Sequence, residues 1–239
     1  MISAGSFLKY AEAGCTLPLN KYLTDELRKD FFPRSLEATT YQGEIMGIPI
    51  EREPVALFYN KKLFAEKGLS PPKNWDQLLT CAKSLHSESM AGIYLPIQPS
   101  DYQNFIFYTF LFQVSGGLVN QDNTSNLQDY GERVLTFWRA LSEYNYKMET
   151  SVQLPSDIYP LATGKAAMQI CGSWAEKMLE SYYPEFEYGA APVPSPQDGL
   201  NRSVYGGWYQ VVNPRSKYPD EAAAFTLWMW GEDVKRPAQ

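Results

Sequence analysis

Hydrophobic positions near the start of the chain recur first with helical and then with extended spacing. A helix is predicted over about 20–31, because large apolar residues recur at every fourth position. These residues are Leu19, Leu23, Leu27 and Phe31. The stretch from Ile45 to Tyr59 predicts extended segments instead, and these are interrupted by Pro49 and Pro54.

An amphipathic helix is predicted to begin after Asn74. Asparagine is a favourable N-cap, and Gln77, three residues later, fits a capping box. The apolar residues that follow fall on one helical face. They are Trp75, Leu78, Leu79, Ala82 and Leu85. Two further helices are predicted, one over 101–115, where two glycines end the pattern, and one over about 127–144.

The second half of the chain predicts a strand over 166–171 that leads into a tight corner at Gly172. Ser173 and Glu176 have the spacing of a capping box, so a helix is predicted to begin at this corner. Further strands are predicted over 188–193 and 204–212, and a last helix over 220–230. The alternation of strands and helices predicts an α/β architecture with a substantially parallel sheet.

Composition narrows the class of protein. With 239 residues, the chain is long enough for one large domain or two smaller ones. The net charge is −6 and the cationic residues form no dense run, which argues against a nucleic-acid partner. The most apolar segment, 105–114, is about half the roughly 20 residues that a membrane-spanning helix needs. Aromatic residues make up 15% of the chain, which suits a cleft that stacks flat ligands.

Cysteine and histidine usage argues against several chemistries. Cys15, Cys81 and Cys171 are widely separated, so they form neither a metal-binding spacing nor a redox pair and are expected to be free thiols. His86 is the single histidine, which leaves most metal hydrolases and serine-histidine-aspartate triads without their ligands or base. We therefore expect no cofactor and no metal.

Several short motifs follow one another over nearly the whole chain. The first group is Gly47-Ile48-Pro49, Tyr59-Asn60, Lys61-Lys62-Leu63-Phe64, Gly68-Leu69 and Pro72-Lys73-Asn74-Trp75. The second group is Gly116-Gly117, Thr163-Gly164-Lys165-Ala166-Ala167-Met168, Gly172-Ser173-Trp174, Gly206-Gly207-Trp208, Ser216-Lys217 and Glu221-Ala222-Ala223. Each motif alone is weakly specific, but their shared order resembles the family 1 extracellular solute-binding proteins, which include the maltose-binding type.

This resemblance implies an α/β fold of the periplasmic-binding-protein type II, with two lobes that close around a ligand. It implies a truncated form here, with a nearly complete C-terminal lobe at 48–204. Residues 1–47 are then the tail of the N-terminal lobe, and residues 205–239 the return crossing and part of that lobe. The segments 49–53 and 205–208 are expected to be hinge strands.

The resemblance also implies what the protein does. Family members bind an extracellular carbohydrate, here expected to be an oligosaccharide, and deliver it to the permease subunits of an ABC importer without transforming it. The chain shows no signal peptide at its start, so an extracellular or periplasmic lipoprotein would carry its membrane anchor on a missing N-terminal segment. The full-length protein is expected to be a monomer, and a chain with one wall of the cleft is expected to bind sugar more weakly than the whole protein.

The strongest candidate ligand-binding residue is Trp174. It lies at a strand-to-helix corner, where side chains face the cleft of an open α/β sheet, and the resemblance implies that its ring stacks on the sugar. Glu53 matches a position where maltose-type members carry a glutamate that binds the ligand, and a carboxylate can accept two sugar hydroxyls. Glu51 lies on the same face as Glu53 if this segment is a strand.

Other candidates are placed by their neighbours in the sequence. Tyr102 and Asp101 begin an aromatic helix after a strand, where the resemblance implies a ligand-binding aromatic. Trp208 and Tyr205 flank the glycine pair of the return crossing. Gln98 and Gly117 are weaker candidates.

Two rival functions remain open. A glycoside-processing enzyme could use Glu51 and Glu53, which would be about 6–7 Å apart on an extended strand. Adjacent carboxylates on one strand do not easily flank opposite sides of one bond, which argues against this enzyme. A polyamine- or metal-binding protein could share the same fold, but it would need several cleft carboxylates or clustered histidines and tyrosines.

Overall fold

The structure is a computed structural model that describes residues 1–147 and 157–230. Its elements, in chain order, are β1 (Ile2–Ser3), α1 (Phe7–Glu12), α2 (Asp25–Asp30), α3 (Pro33–Glu37), β2 (Thr40–Tyr41), β3 (Glu44–Ile45), β4 (Ile48–Pro49), β5 (Glu53–Asn60), α4 (Lys61–Glu66), α5 (Trp75–Leu85), α6 (Asp101–Ser115), α7 (Asn126–Ser142), α8 (Tyr159–Ala162), β6 (Met168–Gly172), α9 (Trp174–Tyr182), β7 (Tyr188–Pro192), β8 (Tyr205–Gly206), β9 (Trp208–Gln210) and α10 (Pro219–Trp230).

The backbone divides into two compact units. The first contains residues 1–52 and the returning segment from 206, and the second contains residues 53–205. The chain therefore first crosses between units five residues later than the sequence-based division placed it (52 against 47). The reason is that Ile48 and Pro49 pair with β9, which belongs to the first unit.

The first unit is built on a small antiparallel sheet in which β9 lies between β1 and β4. The hairpin of β2 and β3 forms a separate sheet. Apolar residues from segments far apart in the sequence make up the main core of this unit. They are Leu19, Leu23, Leu36, Ile45, Ile48, Val212, Ala223 and Leu227.

The helix predicted over 20–31 is broken in the structure. A 3₁₀ turn covers Asn20–Tyr22, and α2 begins only at Asp25. Thr24 is extended between them, and its side chain accepts a hydrogen bond from the Leu27 amide at 3.2 Å. Thr24 is therefore the N-cap of a new helix, and the regular leucine spacing reflects packing rather than one continuous helix.

The second unit is built around β5, the central strand of a four-stranded sheet. Its strands have the order β6-β5-β7, and β8 also pairs with β5. Leu57 lies opposite Ile170 of β6 and Ala191 of β7. Both ladders are antiparallel, so the prediction of a substantially parallel sheet is wrong for the regular strands of the described residues. Among the described residues, several isolated bridges are parallel, such as that between Tyr94 and Gln169.

Both faces of this sheet are covered. Leu57 of β5 packs on one face with α5, α6 and α7, and Phe58 packs on the other face with α8 and α9. All five residues of β6 are buried, as expected for a strand with apolar residues on both sides. The ends of the strands are therefore where polar side chains of this unit can contact a ligand.

Several helix predictions are confirmed. Residues 101–115 form α6, which ends at Gly116 in the left-handed conformation with a φ of 79°. Asn74 caps α5 by accepting a hydrogen bond from the Gln77 amide at 2.9 Å. The side chain of Gln77 accepts from the Lys73 amide, one residue earlier than a standard capping box requires.

Within residues 1–147 and 157–230, every helix is too short or too polar to span a membrane. The cysteines are free thiols, as predicted. Cys15 is exposed, and Cys81 and Cys171 are buried.

Candidate ligand-binding site

The candidate site lies where the end of β6 meets the start of β5. The antiparallel register places Gly172 opposite Val55, so the corner that follows β6 lies beside the beginning of β5. The backbone N–H of Ser173 donates to the carbonyl of Pro54 at 2.9 Å, which fixes the corner in this place. Two residues separated by 120 positions, Glu53 and Ser173, are thereby brought together.

The side chain of Ser173 binds Glu53 instead of capping α9. Its hydroxyl donates a hydrogen bond to Oε2 of Glu53, and Ser173 itself has helical backbone angles with no side-chain capping bond. The predicted capping box between Ser173 and Glu176 is therefore wrong, because Ser173 has helical backbone angles instead of the extended ones from which an N-cap side chain accepts the helix amides. A carboxylate offers about four acceptor positions, so Glu53 keeps most of its capacity for a ligand.

The Trp174 ring, which is partly exposed, is held on several sides. Its Nε1–H donates to Oδ2 of Asp157 at 2.6 Å. The Phe105 ring lies nearly parallel to it, with centroids 6.1 Å apart and planes 26° apart, and the Tyr102 ring is tilted against it at 6.1 Å. A Cβ at position 172 would lie 1.8 Å from the indole, so the ring lies directly on the Gly172 backbone.

Asp157, which binds the indole N–H of Trp174, also affects the pKa values of its neighbours. Burial raises the pKa of the Asp157 carboxyl above its ordinary value of 3.8, while the hydrogen bond from Trp174 acts in the opposite direction. Burial, followed by the Asp157 charge, raises the pKa of the Cys171 thiol and of the Tyr94 hydroxyl. The site is therefore a partly exposed aromatic ring with a partly buried acidic group at its N–H edge.

Tyr102 was predicted as a ligand-binding aromatic, and the structure places it behind Trp174. Burial holds the pKa of its hydroxyl well above the usual range. The hydroxyl oxygen is buried and makes no hydrogen bond of ordinary geometry. Asp101 is exposed at the start of α6, where Ser100 and not Asp101 is the N-cap.

The remaining candidates belong to both units. Trp208, 43% exposed, and Glu51, also exposed, belong to the first unit, and Tyr205 is 38% exposed at the end of the second. Gln98 is exposed in the segment before α6. Gly117 follows the far end of α6, about 22 Å along the axis of a helix of 15 residues from its start. Of the candidates, Glu53, Trp174 and Tyr102 are linked at the corner after β6, and Tyr205 belongs to β8, which pairs with β5.

Sequence reasoning missed three residues of this cluster, Asp157, Phe105 and Gly172. Asp157 lies in a polar stretch without periodicity, and its bond to a residue 17 positions away leaves no local signal. Phe105 resembles the other core aromatics of α6. Gly172 could have been found, because a glycine beside a tryptophan at a corner allows close approach of the ring.

Metal-binding chemistry was one of the rival interpretations. Among the described residues, no group of three or more His, Cys, Asp or Glu side chains is arranged to hold a metal ion.

A fold of two α/β units joined by two crossings, with an acceptor and an aromatic ring at a strand-to-helix corner, is typical of solute-binding proteins. The family model for bacterial extracellular solute-binding proteins matches residues 1–236, and the chain belongs to this family. The family resemblance and the type II periplasmic-binding fold predicted from the sequence are both confirmed.

Relatives cover most of this chain but are longer. A binding protein of Brucella abortus (strain 2308) is 25% identical over 226 residues, which are 90% of this chain and 54% of that protein. The maltotriose-binding protein of Pyrococcus abyssi (strain GE5 / Orsay) is 26% identical over 199 residues, 78% of this chain and 39% of that protein. The chain therefore spans about half the length of the curated relatives it matches, or less.

A solved structure has a similar fold. The GacH receptor of Streptomyces glaucescens GLA.O, described unliganded and with acarbose, is 27% identical, with a TM-score of 0.79. The similarity covers 95% of this chain and 59% of that one.

Proposed function

We propose that the protein binds an extracellular carbohydrate, an oligosaccharide, and delivers it to an ABC importer without transforming it. The observation that carries this proposal is the corner at which Glu53 is bonded to Ser173, the residue that precedes the partly exposed Trp174. A sugar has a rim of hydroxyl groups and apolar ring faces. A carboxylate accepts hydrogen bonds from the rim, and an indole face covers a ring face.

The relatives support a carbohydrate as the class of ligand. One is a maltotriose-binding protein, and the GacH receptor has been described in complex with acarbose. Delivery to an importer further implies contact with permease subunits, an extracellular or periplasmic location, a lipid anchor and a monomeric full-length protein. Each of these remains part of the proposal.

The division into lobes is also part of the proposal. The second unit corresponds to the C-terminal lobe, and the first unit to part of the N-terminal lobe. Trp208, Glu51 and Tyr205 are then candidates for further ligand contacts near the crossings, whereas Trp174 and Glu53 are the principal ones.

The glycoside-processing alternative requires Glu51 and Glu53 to act as a catalytic pair. These residues fall on either side of the boundary between the units, with Glu51 in the first and Glu53 at the start of β5. Glu53 already accepts the Ser173 hydroxyl. Because Glu53 is bonded to Ser173 and the family consists of solute-binding proteins, binding without hydrolysis is the better-supported function.

A thermal-shift panel tests the proposal. The protein is heated with maltotriose, acarbose, mannotriose, glucose, spermidine or zinc, and the bound sugars are afterwards recovered and analysed by chromatography. A matching oligosaccharide at about 100 times its dissociation constant should add roughly 2.7 kcal/mol to the free energy of unfolding. Stabilisation by spermidine or zinc alone would contradict the carbohydrate class, and cleaved sugar after incubation would contradict the non-catalytic role.

A further inference from the structure

The indole of Trp174 is fixed in one orientation by its surroundings. The close backbone of Gly172 blocks one direction, and the Phe105 and Tyr102 rings lie against it from α6. These contacts limit where the ring can go, but they are apolar and allow it to slide in its plane. The bond from Nε1 to Asp157 is the directional contact that prevents this.

Asp157 is itself held firmly to the sheet. The side-chain amide of Gln169, a fully buried residue of β6, donates to the backbone carbonyl of Asp157 at 2.7 Å. The same strand ends three residues later (172 against 169) at Gly172, on which the indole lies. One strand therefore sets both the surface under the ring and the position of the carboxylate that binds it.

We propose that Asp157 is a positioning residue that orients the Trp174 ring for stacking on the ligand, and that protonation of Asp157 weakens ligand binding. The second half of this proposal rests on the proposed function, since it needs Trp174 to contact a sugar. The bond between the two side chains, and its sensitivity to protonation, can be tested without a ligand.

The groups that face Asp157 do not compensate for a change in its charge. They are Tyr102 from α6, Tyr94 from the segment before it, Cys171 from β6 and the indole from α9. Burial raises the pKa values of Tyr102, Tyr94 and Cys171, so all of them are neutral at and below neutral pH. Asp157 is thus the group of this cluster that changes charge in the acid range.

Protonation removes the charge from the acceptor of the indole N–H. A hydrogen bond to an ionised acceptor is about twice as strong as a bond between neutral groups. Because burial raises the pKa of Asp157, the change occurs at a higher pH than for an exposed aspartate. We expect the affinity for sugar to fall by roughly three- to tenfold when Asp157 is neutralised by acid or replaced by asparagine.

The first experiment needs no ligand. The indole N–H resonances of the protein labelled with ¹⁵N are followed by NMR from neutral to acid pH, and the Trp174 signal is assigned by its loss in Trp174→Phe. We expect this signal to titrate with a midpoint above 3.8, the ordinary pKa of an aspartate. The titration should be absent in Asp157→Asn and unchanged in Asp76→Asn, which replaces an exposed aspartate of α5. Persistence of the titration in Asp157→Asn would overturn the proposed bond.

The second experiment is a double-mutant cycle on the affinity for the sugar that binds best. Asp157→Asn should weaken binding in the unmodified protein but have no effect in the Trp174→Phe background, where there is no indole N–H to orient. The acid-dependent loss of affinity should also shrink in Asp157→Asn, and any pH dependence that remains belongs to Glu53 or other groups. A merely structural role would lower affinity equally in both backgrounds.

The two experiments separate the possible failures. If the indole signal titrates but no sugar binds, the proposed function is wrong and the role of Asp157 in ligand binding falls with it. If sugar binds and Asp157→Asn leaves the affinity and its pH dependence unchanged, the proposed function stands and the positioning role is wrong.

Discussion

At the scale of the residue, the Ser173 hydroxyl binds the carboxylate of Glu53, which the proposed function assigns to the ligand. This hydroxyl donates to Glu53, and α9 has no side-chain cap, although Ser173 has the residue type and spacing of one. The two roles do not compete, because the hydroxyl donates its O–H to Glu53 and would cap a helix by accepting an amide N–H; the cap is absent because the backbone of Ser173 is helical. The bond from Ser173 thus holds the Glu53 carboxylate at the residue that precedes Trp174.

Replacing Trp174 tests the aromatic half of the site. Trp174→Ala should weaken the affinity for sugar by about tenfold, because aromatic contacts contribute about 0.5–1.5 kcal/mol beyond the area they bury. The second unit should stay folded, since the ring is partly exposed and most of the core lies elsewhere. Tyr182→Ala, at an exposed position of the same helix, is the matched control. An unchanged dissociation constant in calorimetric titration would remove Trp174 from the site.

Asp157 should also leave a signature in the pH dependence of stability. Its pKa is raised in the folded protein above 3.8, so the folded state holds the proton more tightly than the unfolded state. The stability that this provides is fully present below 3.8 and is lost as the pH rises through the raised pKa. The free energy of unfolding of the unmodified protein minus that of Asp157→Asn should therefore fall over this window in urea titrations. A difference that rises with pH would show that the carboxylate is stabilised in its charged form.

Sequence patterns predicted part of the site because part of it is local. Trp174 follows a strand that ends in Gly172, and a corner of this kind can be recognised from consecutive residues. The partner of Trp174 is 17 positions earlier and the partner of Ser173 is 120 positions earlier, so neither bond leaves a pattern in the sequence. Tyr102 remains a prediction, because an aromatic at a helix start has the same sequence pattern whether it contacts a ligand or only packs against Trp174.

At the scale of the element, the first residues of α5 and α9 both have capping patterns in the sequence, but only one of them forms the capping hydrogen bond. Asn74 accepts a hydrogen bond from the Gln77 amide, whereas Ser173 accepts none. Asn74→Ala should therefore lower the free energy of unfolding by about 1 kcal/mol in chemical denaturation.

Ser173→Ala should lower the affinity for sugar, because Glu53 loses the hydroxyl that it accepts from. This loss of affinity should occur without a change in the stability of α9. Loss of α9 helicity in Ser173→Ala, measured by hydrogen exchange, would show that Ser173 caps this helix after all.

The end of β6 has to be a glycine. The Cβ of Gly172→Ala would lie 1.8 Å from the Trp174 ring, so the ring must move. We expect this variant to weaken sugar binding by at least as much as the loss of Asp157. Gly131→Ala is the matched control, because its Cβ would meet Leu127 at an ordinary 3.6 Å and alanine stabilises a helix by about 1 kcal/mol relative to glycine. Equal affinity of both variants would show that the exact position of the indole is unimportant.

Elements could be predicted where their signals are local. The bounds of α6 follow from an apolar run that Gly116 ends, and the structure reproduces them. The region 20–31 could not be predicted, because leucines at every fourth position suit both one long helix and a 3₁₀ turn followed by a helix capped by Thr24. Strand direction was missed for a different reason. It depends on pairings such as that of Leu57 with Ile170, which lie far apart in the sequence.

At the scale of the whole molecule, three distant segments of the first unit meet at the return crossing. The Ala4 amide donates to the carbonyl of Gly207 at 3.0 Å, and the Ile50 amide donates to that of Trp208 at 3.1 Å. Gly207 has a φ of 138°, which breaks the predicted strand over 204–212 into β8 and β9. A Cβ at this position would lie 2.3 Å from the carbonyl oxygen of Glu51.

Gly207→Ala should therefore destabilise the return crossing by more than the ordinary difference between glycine and alanine in an exposed loop. The backbone of this residue is unfavourable for a side chain, and the carbonyl it would meet belongs to the outgoing crossing and cannot move aside freely. We expect a loss of about 1–3 kcal/mol in the free energy of unfolding, seen as a lower midpoint in thermal denaturation. Gly5→Ala is the matched control, since a Cβ there meets nothing within 4 Å and the φ is ordinary. If both variants melt at the same temperature, the two crossings do not depend on the close approach of Gly207 to Glu51, and glycine at this position would then need another explanation.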